Sequence, residues 1–255
     1  MSGLPATKSQ ELTSRVNRMW ADYTSSTEGI TPFAWKLLFK ELTDLERTPD
    51  GAGVALLLQT VMWALKGDEE NIARTFNIYA GRFGKNSDWY IARATIAPLL
   101  GKPDMLLELL DSDYPKDDFV TLTTIVNAGA QIGLYISARN ALDQLCRNSA
   151  IDIDELLYIS PELTRSAANY LELYKIDEIA FARRLELSTS VVRHHLRNRL
   201  FSLQVTDHGI LFEYVLDLPI DKLIAIDNEI NDAICSTFEE SLSEHISIGV
   251  TASLE

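Results

Sequence analysis

Three glycines stand at related places in the first two-thirds of the chain, and their spacing limits what the chain can fold into. Gly67, Gly101 and Gly133 lie 34 and 32 residues apart, and each follows one helical pattern of apolar residues and precedes another. Glycine readily takes the left-handed backbone conformation that ends many helices. A repeat of about 34 residues with one such turn is typical of stacked pairs of helices. The sequence therefore predicts an array of helical hairpins.

The helical pattern extends from about residue 9 to residue 175. Thr31 and Pro32 predict the start of a helix, because a hydroxyl can cap it and proline is favoured at its first position. This helix is expected to reach about Arg47. A turn at residues 48–51 and a buried helix over residues 54–65 follow. Because no strand pattern occurs in this part, we expect it to be all helical.

The clearest unit runs from Gly133 to Leu142. Glycine stands at the turn between the helices, the aromatic Tyr135 follows two residues later, and the small Ala138 follows five residues later, where two helices can approach closely. With looser matches at residues 71–73 and 105–107, the segment of about 65–150 resembles the tetratricopeptide repeat family. The resemblance implies a surface that binds a peptide or another protein. The alternative is a compact helical bundle that supports the C-terminal part of the chain.

The pattern changes after Lys175, and residues 176–200 resemble the helix-turn-helix of DNA-binding proteins. The residues that carry this resemblance are Ala182 at a close helix crossing, Leu185 and Leu187 beside the turn, Ser188 as the cap of the second helix, and Val192 and Leu196 packing back on the first. The turn position usually held by glycine is Glu186, which departs from the family pattern.

The helix-turn-helix resemblance implies a set of candidate DNA-binding residues on the second helix. Arginine suits this role because its planar guanidinium can contact guanine edges or phosphates in a bidentate manner. The candidates are Thr189, Ser190, Arg193, His194, Arg197 and Arg199.

Strand patterns appear only near the C-terminus. Residues 201–206 and 210–216 alternate as two strands around the turn Asp207-His208-Gly209, and a helix-turn-helix followed by a hairpin resembles a winged helix, over about 176–216. An amphipathic helix over about 219–242 and a last strand over 245–252 follow. The alternative is a small sheet of the hairpin, the helix and the last strand, covered on one face.

The predicted fold class is therefore mostly α. A tetratricopeptide-like helical-repeat array forms residues 1–175, and a small C-terminal α+β module, with a winged helix as one alternative, forms residues 176–255.

The chain is acidic, with 37 Asp and Glu residues against 23 Lys and Arg and a net charge of −14. This charge repels DNA and anionic membranes unless the basic residues gather on one face, and it favours a basic protein partner. No run approaches the roughly 18 apolar residues of a membrane span, so we expect a cytoplasmic protein with no membrane contact. Cys146 and Cys235 are expected to be buried, inert thiols.

No motif for catalysis or cofactor binding is apparent: the chain lacks a phosphate loop, a dinucleotide glycine fingerprint, a nucleophile elbow and a paired-cysteine metal signature. The acidic cluster at residues 111–118 lacks the glycine and glutamate of a calcium loop, so a solvated loop with Asp117 capping the next helix is expected. We predict no catalytic residue, no cofactor and no metal, and hence no enzyme.

Two functions remain open at this point. The first is a protein-interaction scaffold or adaptor that uses the helical-repeat surface. The second is a transcriptional regulator in which the repeats sense or oligomerise while residues 176–216 bind DNA. The second requires an exposed basic face formed by Arg183, Arg184, Arg193, Arg197 and Arg199; burial of these arginines, or pairing with Asp177 and Glu178, favours the first. The sequence does not predict the oligomeric state.

Overall fold

The computed structural model describes residues 7–25, 30–148, 156–193 and 201–252. This described part contains eleven helices and three strands. In chain order these are α1 (Lys8–Ser25), α2 (Pro32–Glu46), α3 (Ala52–Ala64), α4 (Glu69–Phe83), α5 (Ser87–Leu100), α6 (Pro103–Leu110), α7 (Phe119–Gln131), α8 (Tyr135–Asn148), α9 (Pro161–Leu173), α10 (Glu178–Val192), β1 (Phe201–Thr206), β2 (Gly209–Leu216), α11 (Ile220–Thr237) and β3 (Ile246–Ala252).

The predicted fold class is confirmed, because helices form most of the described chain and the strands are confined to a small C-terminal α+β module. The chain forms two compact units, Met1–Ala92 and Arg93–Glu255, which divide within α5. The sequence pattern changes at residue 175, well inside the second unit, so α6 to α9 belong to the same compact body as the C-terminal module. Within the described ranges, no helix has the length and apolar character needed to cross a membrane.

In the first unit, one apolar core joins α1, α2 and α3. Leu12 from α1, Leu42 from α2 and Met62 from α3 are fully buried. The ring of Trp35 stacks on Phe39, and its indole N–H donates a hydrogen bond of 2.9 Å to the Met62 carbonyl. Burying a large apolar side chain contributes about 1.5–3 kcal/mol, so this core holds the three helices together.

The three glycines of the predicted repeat all have a positive φ, with values of 67°, 65° and 80° at Gly67, Gly101 and Gly133. In each turn the residue after the glycine donates its backbone N–H to the carbonyl five residues before it, which is the Schellman arrangement of a helix end. These bonds are Asp68 to Trp63 at 3.1 Å, Lys102 to Ala97 at 2.9 Å and Leu134 to Gly129 at 2.9 Å. The glycines therefore mark turns of the same construction, as the spacing predicts.

A fourth turn of this kind lies between α9 and α10. Lys175 has a φ of 55°, and the N–H of Ile176 donates to the Leu171 carbonyl at 2.8 Å. Because the left-handed residue is a lysine and not a glycine, this turn carries no sequence signal of the kind that marks the other three. Helices α9 and α10 are thus joined by a turn of the same construction as those at the three glycines.

Side-chain caps begin several of the helices. The Thr31 hydroxyl accepts the Ala34 N–H at 3.3 Å, which confirms the predicted start of α2. At α7 the cap is Asp118 and not Asp117, because the carboxylate of Asp118 accepts the Thr121 N–H at 2.9 Å. The prediction for Asp117 was wrong by one residue, since the helix itself begins at Phe119.

The three strands form one sheet in the order β1-β2-β3. Strands β1 and β2 are the predicted antiparallel hairpin, with Phe201 opposite Tyr214 and Thr206 opposite Gly209. Strand β3 pairs with β2 in parallel, with Ile246 opposite Ile210. Helix α11 supplies the long connection that a parallel pair requires. The small sheet of hairpin, helix and last strand, one of the two predicted alternatives, is the arrangement observed.

One face of this sheet is buried. Alternate residues of β2 are inaccessible to solvent, from Ile210 to Leu216, and they lie beside Leu203 of β1 and Ile248 of β3. The same core includes fully buried side chains of the surrounding helices, namely Leu171 of α9, Phe181 of α10 and Ile230 of α11. Helices α9, α10 and α11 and the sheet therefore share one hydrophobic core.

Candidate functional site

The predicted helix-turn-helix is not formed, because α10 is a single helix from Glu178 to Val192. Glu186, the predicted turn residue, lies within the helix, and its carboxylate pairs with Arg183 one turn earlier at 2.7 Å and with Lys102 at 3.2 Å. Leucine and glutamate are good helix formers, and no glycine or proline interrupts residues 178–192. The helix therefore continues where a turn was expected, and the winged-helix alternative is not observed.

Ser188 shows the difference most clearly. The sequence predicts it as the cap of a second helix, but it is fully buried inside α10 and its hydroxyl donates to the Arg184 carbonyl at 2.7 Å. A serine in the middle of a helix commonly satisfies its hydroxyl on the carbonyl four residues back. Ser188 is thus a core residue of α10.

Three of the six candidate DNA-binding residues lie in the described part. Thr189 is half-buried, and its hydroxyl lies 2.9 Å from the Tyr214 hydroxyl of β2. Ser190 is exposed and donates to the Leu187 carbonyl, and Arg193 is exposed at the end of α10. The other three, His194, Arg197 and Arg199, lie outside the described residues.

Thr189 also packs on the turn between α5 and α6. A Cβ added at Gly101 would approach the Thr189 methyl carbon to 2.7 Å, which is too close for two carbon atoms. Glycine is thus required at residue 101 for two reasons, its φ of 65° and this contact. Thr189 therefore packs α10 against the turn between α5 and α6.

The two adjacent arginines of α10 are held within the fold. Arg184 is only 5% exposed. Its guanidinium donates to the carbonyls of Ala180, Glu240 and Ser241 and lies 4.3 Å from the centre of the Phe238 ring. Burial lowers the pKa of Arg184, while the nearby Glu240 opposes this shift. Arg184 therefore ties α10 to the chain that connects α11 with β3.

Arg183 forms ion pairs with Asp104 of α6 at 2.5 Å and with Glu186 at 2.7 Å. These contacts raise the pKa of Arg183, Asp104 first and Glu186 second. The arginine thereby joins two helices of the second unit. Arg183 is thus paired, although with residues other than Asp177 and Glu178, the two carboxylates considered in the sequence.

Glu178 has a different use, as the cap of α8. Its carboxylate accepts the N–H groups of Ile136 and Ser137 at 2.8 and 3.0 Å and the Ser137 hydroxyl at 2.7 Å. The first N–H groups of a helix have no partner within the helix and favour a negative charge. Glu178 therefore fixes the start of α10 to the start of α8 across 42 residues of sequence.

The acidic charge is concentrated in the second unit. Residues 1–92 contain 10 basic and 11 acidic side chains, whereas residues 93–255 contain 13 basic and 26 acidic side chains. Residues 201–252 contain ten acidic side chains and a single cation, Lys222. The negative field of the second unit disfavours polyanions and favours cationic partners.

An exposed apolar surface lies on α7 and on the segment that precedes α9. Val120 is 53% exposed, Leu156 is 45% exposed and Tyr158 is 70% exposed. The Asn127 side chain holds this segment on α7, because its amide donates to the Leu156 carbonyl and accepts the Tyr158 N–H, both at 2.9 Å. We call Val120, Leu156 and Tyr158 the α7 surface. Exposed apolar side chains that lie next to one another are typical of protein-binding sites.

In the described part of the chain, neither the cysteines nor the acidic side chains indicate a catalytic or metal-binding site. Cys146 and Cys235 are both exposed, so the expectation of buried thiols was wrong. Each lies on the outer face of an amphipathic helix, which the helical pattern around it would have indicated. Within the described ranges, no group of three or more His, Cys, Asp and Glu side chains is placed to hold a metal ion.

Comparison of the chain with known protein families, with curated proteins and with solved structures finds no match.

Proposed function

We propose that this chain is a non-catalytic protein-interaction scaffold whose helical hairpins, similar to tetratricopeptide repeats, carry the binding surface. The observation that carries the proposal is the burial of Arg184 and the pairing of Arg183, two of the five arginines that a DNA-binding face would need. Their guanidinium groups are used to hold helices together. Helix α10 thus serves as a structural element.

The α7 surface is the binding site of this proposal. It joins exposed apolar side chains with an acidic loop, in which Asp113 and Asp117 are exposed immediately before α7. Apolar anchors supply affinity, and carboxylates at the rim select cationic partners and speed their approach. The partner is therefore a basic protein segment that carries apolar side chains.

DNA binding is the second candidate, and the exposure of Arg193 is the observation that favours it. It would act with His194, Arg197 and Arg199, the candidates that lie outside the described residues. Thr189 cannot contribute its hydroxyl freely, because that hydroxyl is bonded to Tyr214. A regulator built in this way would have to overcome the negative charge of the second unit.

The scaffold proposal is tested by incubating the purified full chain, and separately the variant Val120→Ser, Tyr158→Ser, with a protein mixture. Quantitative mass spectrometry then compares the amounts of each protein that the two chains retain. We expect the native chain to retain one or a few proteins in stoichiometric amounts. The variant should retain at least tenfold less of these proteins. Both substituted side chains are more than half exposed, so the variant should keep its fold.

The matched control is Ile78→Ser on α4, which removes a 41% exposed isoleucine from the first unit. It should retain the same proteins as the native chain. Equal retention by the native chain and the α7 variant would exclude this surface as the binding site. Circular dichroism of all three proteins checks that the helices are intact.

A further inference from the structure

Helix α11 has an uncharged stripe along its length that its own fold does not cover. Its buried side is formed by Leu223, Ile226, Ile230 and Ile234. Beside these residues, at a spacing of three or four, lie the exposed residues Ile220, Ile224, Asn228, Asn231 and Cys235. Residues three and four apart share a face of a helix, so these five form one continuous line, which we call the α11 stripe.

The first turns of the stripe are strongly apolar. Ile220 is 70% exposed and Ile224 is 56% exposed, and they are one turn apart on the same face. A pair of exposed isoleucines at this spacing is the type of anchor that helix-to-helix recognition uses. A helix of 18 residues is about 27 Å long, which is enough for an interface with a second helix.

Carboxylates border the stripe on both sides. Asp221 and Asp232 are exposed on its solvent side, and Glu229 lies further round the same face. On the opposite side, the half-buried Asp227 accepts the Val250 N–H at 3.3 Å, which also closes part of the β3 edge. The charge around the two isoleucines is therefore negative on either side.

The charges decide what can cover the stripe. Residues 201–252 have ten acidic side chains and one lysine, so two copies of this module would repel each other, as would an anionic membrane or a nucleic acid. A cationic segment is instead attracted by the carboxylates that border the stripe. Apolar contact with Ile220 and Ile224 then requires that this segment also carry apolar side chains at helical spacing.

We propose that the α11 stripe binds a basic amphipathic helix of a partner protein, with apolar residues on Ile220 and Ile224 and lysines or arginines against Asp221, Asp227 and Asp232. The proposal rests on the protein-binding function proposed above, but it concerns a different surface. A partner could thus contact the chain at two places, and each surface can be tested with the other intact.

The test is fluorescence anisotropy of a labelled peptide of 14 residues, with leucines and lysines placed to form an amphipathic helix, titrated with the full chain. We expect binding by the native chain and at least a tenfold weaker affinity for Ile220→Ser, Ile224→Ser. Substitution Asp221→Asn, Asp232→Asn should weaken binding and make it less sensitive to salt, because fewer ion pairs are formed.

Two controls separate specific docking from general attraction. Leu173→Ser removes an apolar side chain that is 73% exposed on a different helix, α9. This variant should bind the peptide with unchanged affinity. A peptide of the same pattern with glutamate in place of lysine should not bind. Equal binding by the native chain and the isoleucine variant would overturn the proposal, as would no binding at all.

Sedimentation of the native chain and the isoleucine variant tests whether a second copy of the chain occupies the stripe. If the native chain is a dimer and Ile220→Ser, Ile224→Ser is a monomer, the stripe binds a second copy and the proposal is wrong. The α7 surface is proposed to bind a segment of the same chemistry, so the titration is repeated with Val120→Ser, Tyr158→Ser, which should bind the peptide as tightly as the native chain. A loss of affinity confined to Ile220→Ser, Ile224→Ser assigns the peptide to the α11 stripe, whatever the outcome of the partner-retention test for the scaffold function.

Discussion

At the scale of single residues, the helical turns show how much one backbone angle matters. Gly101 and Gly133 adopt positive φ values without strain, whereas Lys175 adopts a φ of 55° with a Cβ present. A left-handed conformation costs a residue with a Cβ about 1–2 kcal/mol. The turn between α9 and α10 thus retains a strain that glycine relieves in the other three turns.

We expect Lys175→Gly to raise the free energy of unfolding by about 1 kcal/mol, after part of the gain is offset by the greater freedom of glycine in the unfolded chain. Urea denaturation of the full chain measures this change. Gly133→Ala is the opposing variant, since its φ is 80° and the new Cβ would lie 2.8 Å from Leu185. It should lower stability, and a loss of stability in Lys175→Gly would contradict this explanation.

The charge of Glu41 contributes to the stability of the fold. Its carboxylate oxygens accept two hydrogen bonds from Arg15, at 2.7 and 2.8 Å, and one from Lys8 at 2.9 Å. These bonds, with Arg15 first and Lys8 second, lower the pKa of Glu41 to about 2. A carboxylate with a lowered pKa stabilises the fold above its pKa in the unfolded chain, near 4.5, and this contribution is lost as the pH falls towards 2.

Glu41→Gln should therefore lower the free energy of unfolding by about 1 kcal/mol at pH 7, since part of the ion pair is exposed to solvent. The difference from the native chain should shrink as the pH is lowered from 4.5 towards 2. Urea titrations at pH 7 and pH 3 provide the comparison. A difference that is the same at both pH values would show that the charge of Glu41 is not responsible.

At the scale of secondary-structure elements, α10 holds neighbouring helices in place through polar side chains. Glu178 caps α8, Arg183 pairs with Asp104 on α6, and Arg184 binds the carbonyls of the segment after α11. Each contact joins segments that are distant in sequence. Helix α10 is consequently a central support of the second unit.

Glu178→Ala should lower the free energy of unfolding by about 2 kcal/mol, because it leaves the first N–H groups of α8 without their acceptor. Glu178→Gln should cost less, since the amide oxygen still accepts one or two of these bonds. Hydrogen exchange of the Ile136 and Ser137 amides locates the effect. Unchanged protection of both amides in Glu178→Ala would argue against this capping role.

The elements that the sequence predicted correctly are those whose signals are local. The three glycine turns, the cap at Thr31 and the strand hairpin around Asp207-His208-Gly209 each depend on a few neighbouring residues. The turn at Lys175 was missed because lysine gives no such signal. In these cases the local chemistry decides the structure.

The helix-turn-helix prediction failed because its pattern is ambiguous. Ala182, Leu185 and Val192 are three and seven residues apart, and this spacing also places them on one face of a continuous helix. All three are buried in α10. Only tertiary features distinguish the two structures, such as the bonds of Arg184 to the carbonyls of Glu240 and Ser241 and the burial of Ser188, and these cannot be deduced from local spacing.

At the scale of the whole molecule, the distribution of charge bears most directly on function. Thirteen more acidic than basic side chains lie in residues 93–255, and two arginines of α10 are used in internal contacts. The exposed apolar groups of the α7 surface and the α11 stripe lie in the same unit. These features together support the proposal that the chain binds basic protein segments.

The central claim is that α10 supports a protein-binding scaffold and does not read DNA. Its most direct test is fluorescence anisotropy of random-sequence duplex DNA titrated with the full chain at low salt, beside Arg193→Ala and the exposed control Arg47→Ala. We predict no binding at micromolar concentration by any of the three. Binding by the native chain and by Arg47→Ala that weakens with salt and is lost in Arg193→Ala would contradict the claim and establish DNA as the ligand.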